Sequence, residues 1–195
     1  MGIFRSGLIV ITLVFLGACA NSQSTGTNPE SNSTQTTATV EADTTGYKAS
    51  ELTSLKLTNA KTGESFTLSD FAGKTVSVEP MSVTCSSCKK QHKNSKQAYE
   101  KLPDSEYIFL SLSIDQGLSD EKLAEFAKSE GFNWKFAVAT PEITRVLNAK
   151  FGQTAFNTAS TPHFIISPNG EISELSTGFT EPDVLVAKLQ QVKGQ

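Results

Sequence analysis

Strand signals and helix signals alternate between Leu55 and Val192, and that order limits the fold more than any other feature of the chain. Leu55–Leu57 and Ser65–Leu68 flank a Lys61-Thr62-Gly63-Glu64 turn and read as a short hairpin. Thr75–Val78 is a β-branched run entered from Gly73-Lys74, and Cys85–Leu102 reads as a helix stopped by Pro103-Asp104. Tyr107–Ile114 (YIFLSLSI) is the most strand-like run in the chain. Ser119–Glu130 opens on an N-cap residue, places Leu123, Phe126 and Ala127 inside, and ends at Gly131. Phe136–Ala139 is a short strand, and Thr140-Pro141 starts a helix whose apolar face is Ile143, Val146 and Leu147. His163–Ile166 is a strand, Pro168-Asn169-Gly170 a tight turn and Glu171–Leu175 the returning strand. Thr180-Glu181-Pro182-Asp183 caps a last helix that buries Leu185, Leu189 and Val192. Strands separated by helices imply an α/β fold. Its central sheet is mostly parallel and flanked by helices, the late hairpin adds an antiparallel edge, and the first hairpin is an N-terminal extension. The segment 50–195 is long enough for one buried core.

The first residues follow a different pattern. Residues 1–19 read MGIFRSGLIVITLVFLGAC: one positive charge at Arg5, an apolar run from Gly7 to Leu16, then small residues. This predicts a secretory signal peptide over 1–18, with a run too short for an ordinary transmembrane helix. Leu16-Gly17-Ala18-Cys19 resembles a bacterial lipobox, which implies cleavage before Cys19 and attachment of diacylglycerol there; a plain signal peptide ending in a chance Cys is the alternative. Two or more acyl chains on one residue give stable anchoring. Asn21–Gly46 holds 12 Ser/Thr, three acids and no base or aromatic, so 19–49 is expected to be the lipidated Cys and a disordered tether. The expected location is extracytoplasmic, on a bacterial membrane, where disulfides are permitted.

Charge and composition exclude other classes. The 17 basic and 20 acidic residues give a net charge of −3, which leaves no electrostatic footprint for nucleic acid. Only Arg5 and Arg145 are arginines, which disfavours a phosphate- or carboxylate-clamping enzyme. Three Cys and two His are too few for a disulfide-dense scaffold or most structural zinc sites.

The candidate chemistry centres on Cys85-Ser86-Ser87-Cys88, which follows a β run and opens a predicted helix. A Cys at a helix N-terminus meets the positive end of the helix dipole, which favours thiolate. The thiolate is the species that attacks a disulfide. A second thiol three residues later lies one turn away and can resolve the mixed disulfide. The pair would sit at the carboxyl end of a central strand, where open α/β sheets bind ligands.

Leu68-Ser69-Asp70-Phe71-Ala72-Gly73-Lys74, the following strand and Cys85-x-x-Cys88, together with Thr161-Pro162-His163-Phe164-Ile165-Ile166-Ser167-Pro168-Asn169-Gly170-Glu171-Ile172, resemble the membrane-anchored thioredoxins of the TlpA/ResA type over about residues 51–193. The resemblance implies a thioredoxin-like fold and thiol–disulfide exchange outside the cytoplasm without a cofactor. It implies Cys85 as the exposed attacking thiol, Cys88 as the buried resolving thiol and Pro162 as a cis-proline facing the pair. Glu79, six residues before Cys85, would be a buried acid that takes the proton of the resolving thiol, its pKa raised by desolvation; the simpler reading turns it outward at the strand end. Implied partners are exported thiol or disulfide proteins, of the cytochrome or copper-site maturation type, and a membrane thiol electron donor. The chain departs from the family pattern at Thr84, Ser87 and Pro80-Met81-Ser82-Val83, which leaves the direction of electron flow open.

Three other readings compete. A structural Cys85–Cys88 disulfide would close a loop too short to stabilise much. A Sco-like copper-binding chaperone could use Cys85, Cys88 and His163, since soft thiolates and imidazole suit copper, and His92 lies one turn after Cys88; Sco-type proteins, however, resemble CxxxC. A peroxiredoxin-like peroxidase motif, P-x-x-x-T-x-x-C, fits Pro80 and Thr84 but puts its Cys position on Ser87, and its arginine would have to be Arg145. Lys89, Lys90, Lys93 and Lys96 could lower a thiol pKa or meet an acidic partner, or simply form a solvated helix face. Met81 and Trp134 read as packing residues.

Overall fold

The structure is a computed structural model that describes residues 46–194. The expected signal peptide, Cys19 and the expected tether up to residue 45 lie outside the described residues. The elements are α1 (Glu51–Ser54), β1 (Leu57–Thr58), β2 (Ser65–Phe66), β3 (Thr75–Met81), α2 (Ser86–Tyr99), β4 (Tyr107–Ser113), α3 (Asp120–Glu130), β5 (Lys135–Val138), α4 (Pro141–Phe151), β6 (Phe164–Ile166) and α5 (Pro182–Lys193). Strands β5-β4-β3-β6 form the main sheet; β3, β4 and β5 are parallel and β6 is antiparallel to β3. This is the expected α/β architecture with an antiparallel edge. The small hairpin β1–β2 pairs Leu57 with Phe66.

The period of two along the central strands separates two cores. Val76 and Val78 of β3 and Leu110 and Leu112 of β4 pack with Ile143, Val146 and Leu147 of α4, and with Leu57 and Phe66 of the hairpin. Phe109 of β4 and Met81 of β3 face the opposite side, with Cys88 and Ala98 of α2, Leu123 of α3 and Leu185 and Leu189 of α5. On that second face the strands also carry polar residues: Ser77, Glu79, Ser111 and Ser113 are all buried. The burial stripe of α2 is correspondingly polar, with Cys88, Gln91, His92, Ser95 and Ala98 inside.

Most helix ends follow their sequence signals. Ser119 accepts from the Lys122 N–H, and Gly131 ends α3 in the left-handed region. Thr140 accepts from the Ile143 N–H in front of Pro141. Phe126 and Val192, expected inside, are only partly buried. The short α1, opened by a Ser50/Thr53 capping box, lies just before the expected strand; Leu55 is its C-cap, and the strand itself starts at Leu57.

Three local expectations are corrected. Strand β3 continues past Val78 through Pro80 to Met81. Proline lacks a ladder donor, but Pro80 points its nitrogen toward β6, whose pairing with β3 ends at Val78–Phe164. The returning strand over Glu171–Leu175 is reduced to the isolated bridges Ile166–Ile172 and His163–Ser176. There the Ser173 hydroxyl accepts the Ile165 N–H in place of a backbone carbonyl. The cap of α5 is Glu181, without a side-chain hydrogen bond. Thr180 is committed elsewhere: its N–H donates to Gln91 and its hydroxyl meets His163.

The turn at Pro168-Asn169-Gly170 fastens the start of the described chain. Lys48 N–H donates to Asn169 O at 2.7 Å, and Gly73 N–H to Pro168 O at 2.9 Å. Gly170 has φ +87°, and a Cβ there would stand 2.6 Å from the Lys48 carbonyl oxygen, so only glycine fits.

Candidate active site

The loop 82–84 carries the chain from β3 into α2, with Cys85 as N-cap. Cys85 Sγ accepts from the Cys88 N–H at 3.2 Å. The loop is held by Asp115, whose Oδ2 accepts from the Val83 N–H at 2.8 Å. Both cysteines are free thiols; Cys85 is half-buried and Cys88 buried. Both sulfurs reach one carbonyl, that of Thr158, at 3.5 Å from Cys85 and 3.4 Å from Cys88.

The two thiols are electrostatically unlike. Burial opposes ionisation of Cys85, but hydrogen bonds from the Cys88 thiol, the Cys88 and Ser87 N–H groups and the Thr158 side chain outweigh it, so its pKa lies below the ordinary thiol value. Burial pushes Cys88 up, and the hydrogen bond it gives Cys85 adds to this, to about 12. One thiol is therefore readied for attack and the other held protonated.

Glu79 points inward, not outward, and is 7% exposed. Ser95 Oγ donates to Oε1, and His92 Nε2 lies 3.1 Å from Oε2. The expected rise in its pKa is corrected: burial does push it up, but His92, Ser95 and, more weakly, His163 bring the carboxyl below its ordinary value. A cavity of about 10 Å³ lies between Glu79, Cys88, His92, Pro80 and Pro162. That is close to the space one water needs.

Pro162 faces this cavity, but its peptide bond is trans; no cis peptide occurs among the described residues. The chain reverses instead at Thr161, which has φ 47° and ψ 59° after the 3-10 turn Thr158–Ser160. A β-branched residue there is strained by about 1–3 kcal/mol. His163 Nδ1, 3.0 Å from Thr161 O, braces that turn, and its Nε2 is 3.2 Å from Thr180 Oγ1.

The remaining sequence candidates make other contacts. Both ring nitrogens of His163 have protein partners, Thr161 O and Thr180 Oγ1. No group of three or more His, Cys, Asp or Glu side chains arranged to hold a metal occurs among the described residues. Arg145 pairs with Glu51 on the surface. Lys89 pairs with Glu130 at 2.9 Å and Lys90 lies over the Phe179 ring at 4.4 Å. Met81 and Trp134 are buried in the core, as expected. Sequence reasoning missed Thr158 and Asp115, which act through a backbone carbonyl and a loop contact. It also missed His92 as a partner of Glu79; the i, i+4 spacing from Cys88 was the available signal. A larger cleft of about 690 Å³ opens beside the site at the ends of β4 and β5, between Asp115, Gln116, Pro141, Asn148 and Phe156.

The family model described as Redoxin matches residues 44–192. The chain belongs to the Redoxin family. No curated protein sequence matches this Redoxin protein. Solved structures share its fold. One from Aquifex aeolicus VF5 superposes with a TM-score of 0.63 at 19% identity, covering 77% of this chain and 99% of that one. A thiol:disulfide interchange protein of the thioredoxin family from Chlorobium tepidum TLS gives 0.59 at 16% identity, covering 71% and 92%. The exposed lipoprotein thioredoxin of Streptococcus pneumoniae strain TIGR4 gives 0.54 at 19% identity, covering 70% and 98%. These likenesses show that this Redoxin-family chain has the thioredoxin-like fold.

Proposed function

We propose that this protein is a thiol–disulfide oxidoreductase of the TlpA/ResA-like type that exchanges disulfides with exported proteins outside the cytoplasm. The observation that carries the reading is the asymmetry of the pair: Cys85 half-buried with a lowered pKa, Cys88 buried with a raised one. Exchange needs that order, because the first thiol must be ionised and reachable and the second must wait for the mixed disulfide. Cys85 thiolate attacks a partner disulfide and Cys88 resolves; the same steps reversed oxidise a partner dithiol. Two fold relatives, the interchange protein from Chlorobium tepidum and a thiol-disulfide isomerase from Corynebacterium glutamicum, support the class. Substrates of the cytochrome or copper-site maturation type and a membrane thiol donor follow from the TlpA/ResA resemblance.

The testing experiment is a trap. Cys88→Ser, expressed in cells, is expected to accumulate a reducible covalent adduct through Cys85, and Cys85→Ser none. A Cys88→Ser variant that collects no partner, beside a redox-active wild type, would sink the exchange mechanism.

Anchoring through a lipidated Cys19 after removal of 1–18 is a separate part of the proposal, supported by the lipobox-like Leu16-Gly17-Ala18-Cys19. Cys19→Ala is expected to move the protein from the membrane pellet to the soluble fraction; continued pelleting overturns the anchor.

A further inference from the structure

Strands β3 and β4 set Glu79 and Ser111 side by side as cross-strand partners beneath α2. His92 lies over both, its Nε2 3.1 Å from Glu79 Oε2 and 2.8 Å from Ser111 Oγ. Trp134 Nε1 donates to the same Ser111 oxygen at 2.8 Å. His92 Nδ1 is buried without a hydrogen-bond partner. It lies among the rings of Phe132, Trp134 and Phe136, whose centroids are 5.3, 5.9 and 5.9 Å away. The tautomer that fits carries its proton on Nε2, aimed at the carboxylate, because Nδ1 has nothing to donate to. Glu79, His92 and Cys88 border the same one-water cavity.

We infer that His92 is a positioning residue for the resolving step, holding Glu79 as an oriented, ionised carboxylate across the cavity from the Cys88 thiol. The inference rests on the exchange reading and on Glu79 as the base within it. In the mixed disulfide, the Cys88 proton passes through the cavity to a Glu79 carboxylate oxygen. The Cys88 sulfur pair forms the bond to Cys85 Sγ, the bond from Cys85 Sγ to the partner sulfur breaks, and that sulfur leaves with the pair as a thiolate. The protein's two thiols are oxidised to a disulfide and the partner is reduced.

The need for His92 is physical. A carboxyl this deeply buried and left alone takes up a proton, and a protonated carboxyl accepts no second one. The titratable groups that face Glu79 are His92 and Cys88 from α2 and His163 from the approach to β6. The aromatic rings around His92 bring no charge. His92 supplies both a hydrogen bond and favourable electrostatics, where Ser95 supplies only a hydrogen bond.

The test uses the reduced chain carrying Cys19→Ala, whose only thiols are Cys85 and Cys88, and 5,5′-dithiobis(2-nitrobenzoate), followed by stopped flow between pH 4 and 9. The first release of thionitrobenzoate reports attack by Cys85; the second reports resolution by Cys88. In His92→Phe the acid limb of the second phase is expected to move up by about one pH unit or more, while the first phase keeps its profile. His92→Gln keeps an N–H donor without the imidazole and is expected to fall between His92→Phe and wild type. Glu79→Gln is expected to slow the second phase and remove the limb. If Glu79→Gln leaves the second phase intact, the base reading itself fails. If Glu79→Gln slows it while the second phase of either folded His92 variant overlays the wild type, only the role of His92 is overturned.

Discussion

In reduced protein exposed to iodoacetamide at pH 8, the active-site pair is expected to take one label, on Cys85, while Cys88 stays unlabelled for many half-lives. With its pKa at about 12, roughly one Cys88 thiol in 10⁴ is ionised at that pH. Cys85 lies below the ordinary thiol value, so a far larger share of it is thiolate at that pH. Labelling of Cys85 is therefore expected to be faster by orders of magnitude, before burial of Cys88 lowers its access further. The sign with pH follows. Labelling of Cys85 rises through its depressed pKa and levels off at lower pH than that of Cys88, which keeps rising through the alkaline range. Alkylating Cys85 removes the hydrogen bond and charge that help hold Cys88 protonated, but not its burial, so the second label stays slow. Mass spectrometry of the two cysteines over pH 5–11 measures this. Equal rates at pH 8 would remove the asymmetry on which the proposed exchange rests.

The second large effect is on stability. Phe136, in the middle of β5, is fully buried and lies nearly parallel to Phe132, 6.1 Å away with a 9° interplanar angle, and to Trp134, 5.6 Å away with a 25° angle. Phe136→Ala removes a ring from a rigid aromatic layer that cannot close over the gap, and is expected to cost about 3–5 kcal/mol. For a domain of this size the midpoint of thermal unfolding should fall by roughly 10 °C. Val184→Ala, at an exposed position on α5, is the contrast and should stay within about 0.5 kcal/mol of wild type. Urea and thermal unfolding of both variants test the pair; a loss under about 1 kcal/mol in Phe136→Ala would mean that the layer repacks.

Where local chemistry and tertiary packing agree, the sequence was readable. Tyr107–Ile114 alternates Phe109 and Ser111 against Leu110 and Leu112, and the structure puts those pairs on opposite faces. The caps at Ser119, Thr140 and Gly131 are local hydrogen-bond and backbone effects, so they stood where the residues put them. Reading failed where a distant group won. Pro80 ends a strand by local rules, yet β3 runs through it because β6 has already departed. Thr180 has the chemistry of a cap, yet His163 and Gln91 claim it. Pro162 faces the cavity as the resemblance implied, but the turn before it is made at Thr161. For Glu79 the sequence left a buried and an outward-turned reading open; it is buried, and the direction of its pKa depends on His92 and Ser95, thirteen and sixteen positions away and brought over it by α2.

The turn that fastens the described N-terminus also sets the pole of the domain at which the chain enters. Lys48 is bonded to Asn169, and Pro168 to Gly73, at the end of the sheet where β3 begins. Cys85 follows the other end of that strand, whose seven residues span about 20 Å. Under the proposed anchoring through Cys19, the domain would be held by one pole and would carry its sulfurs on the other. The carrying surface and the working surface would then not compete for the same space, and a bulky client would reach Cys85 without passing the point of suspension.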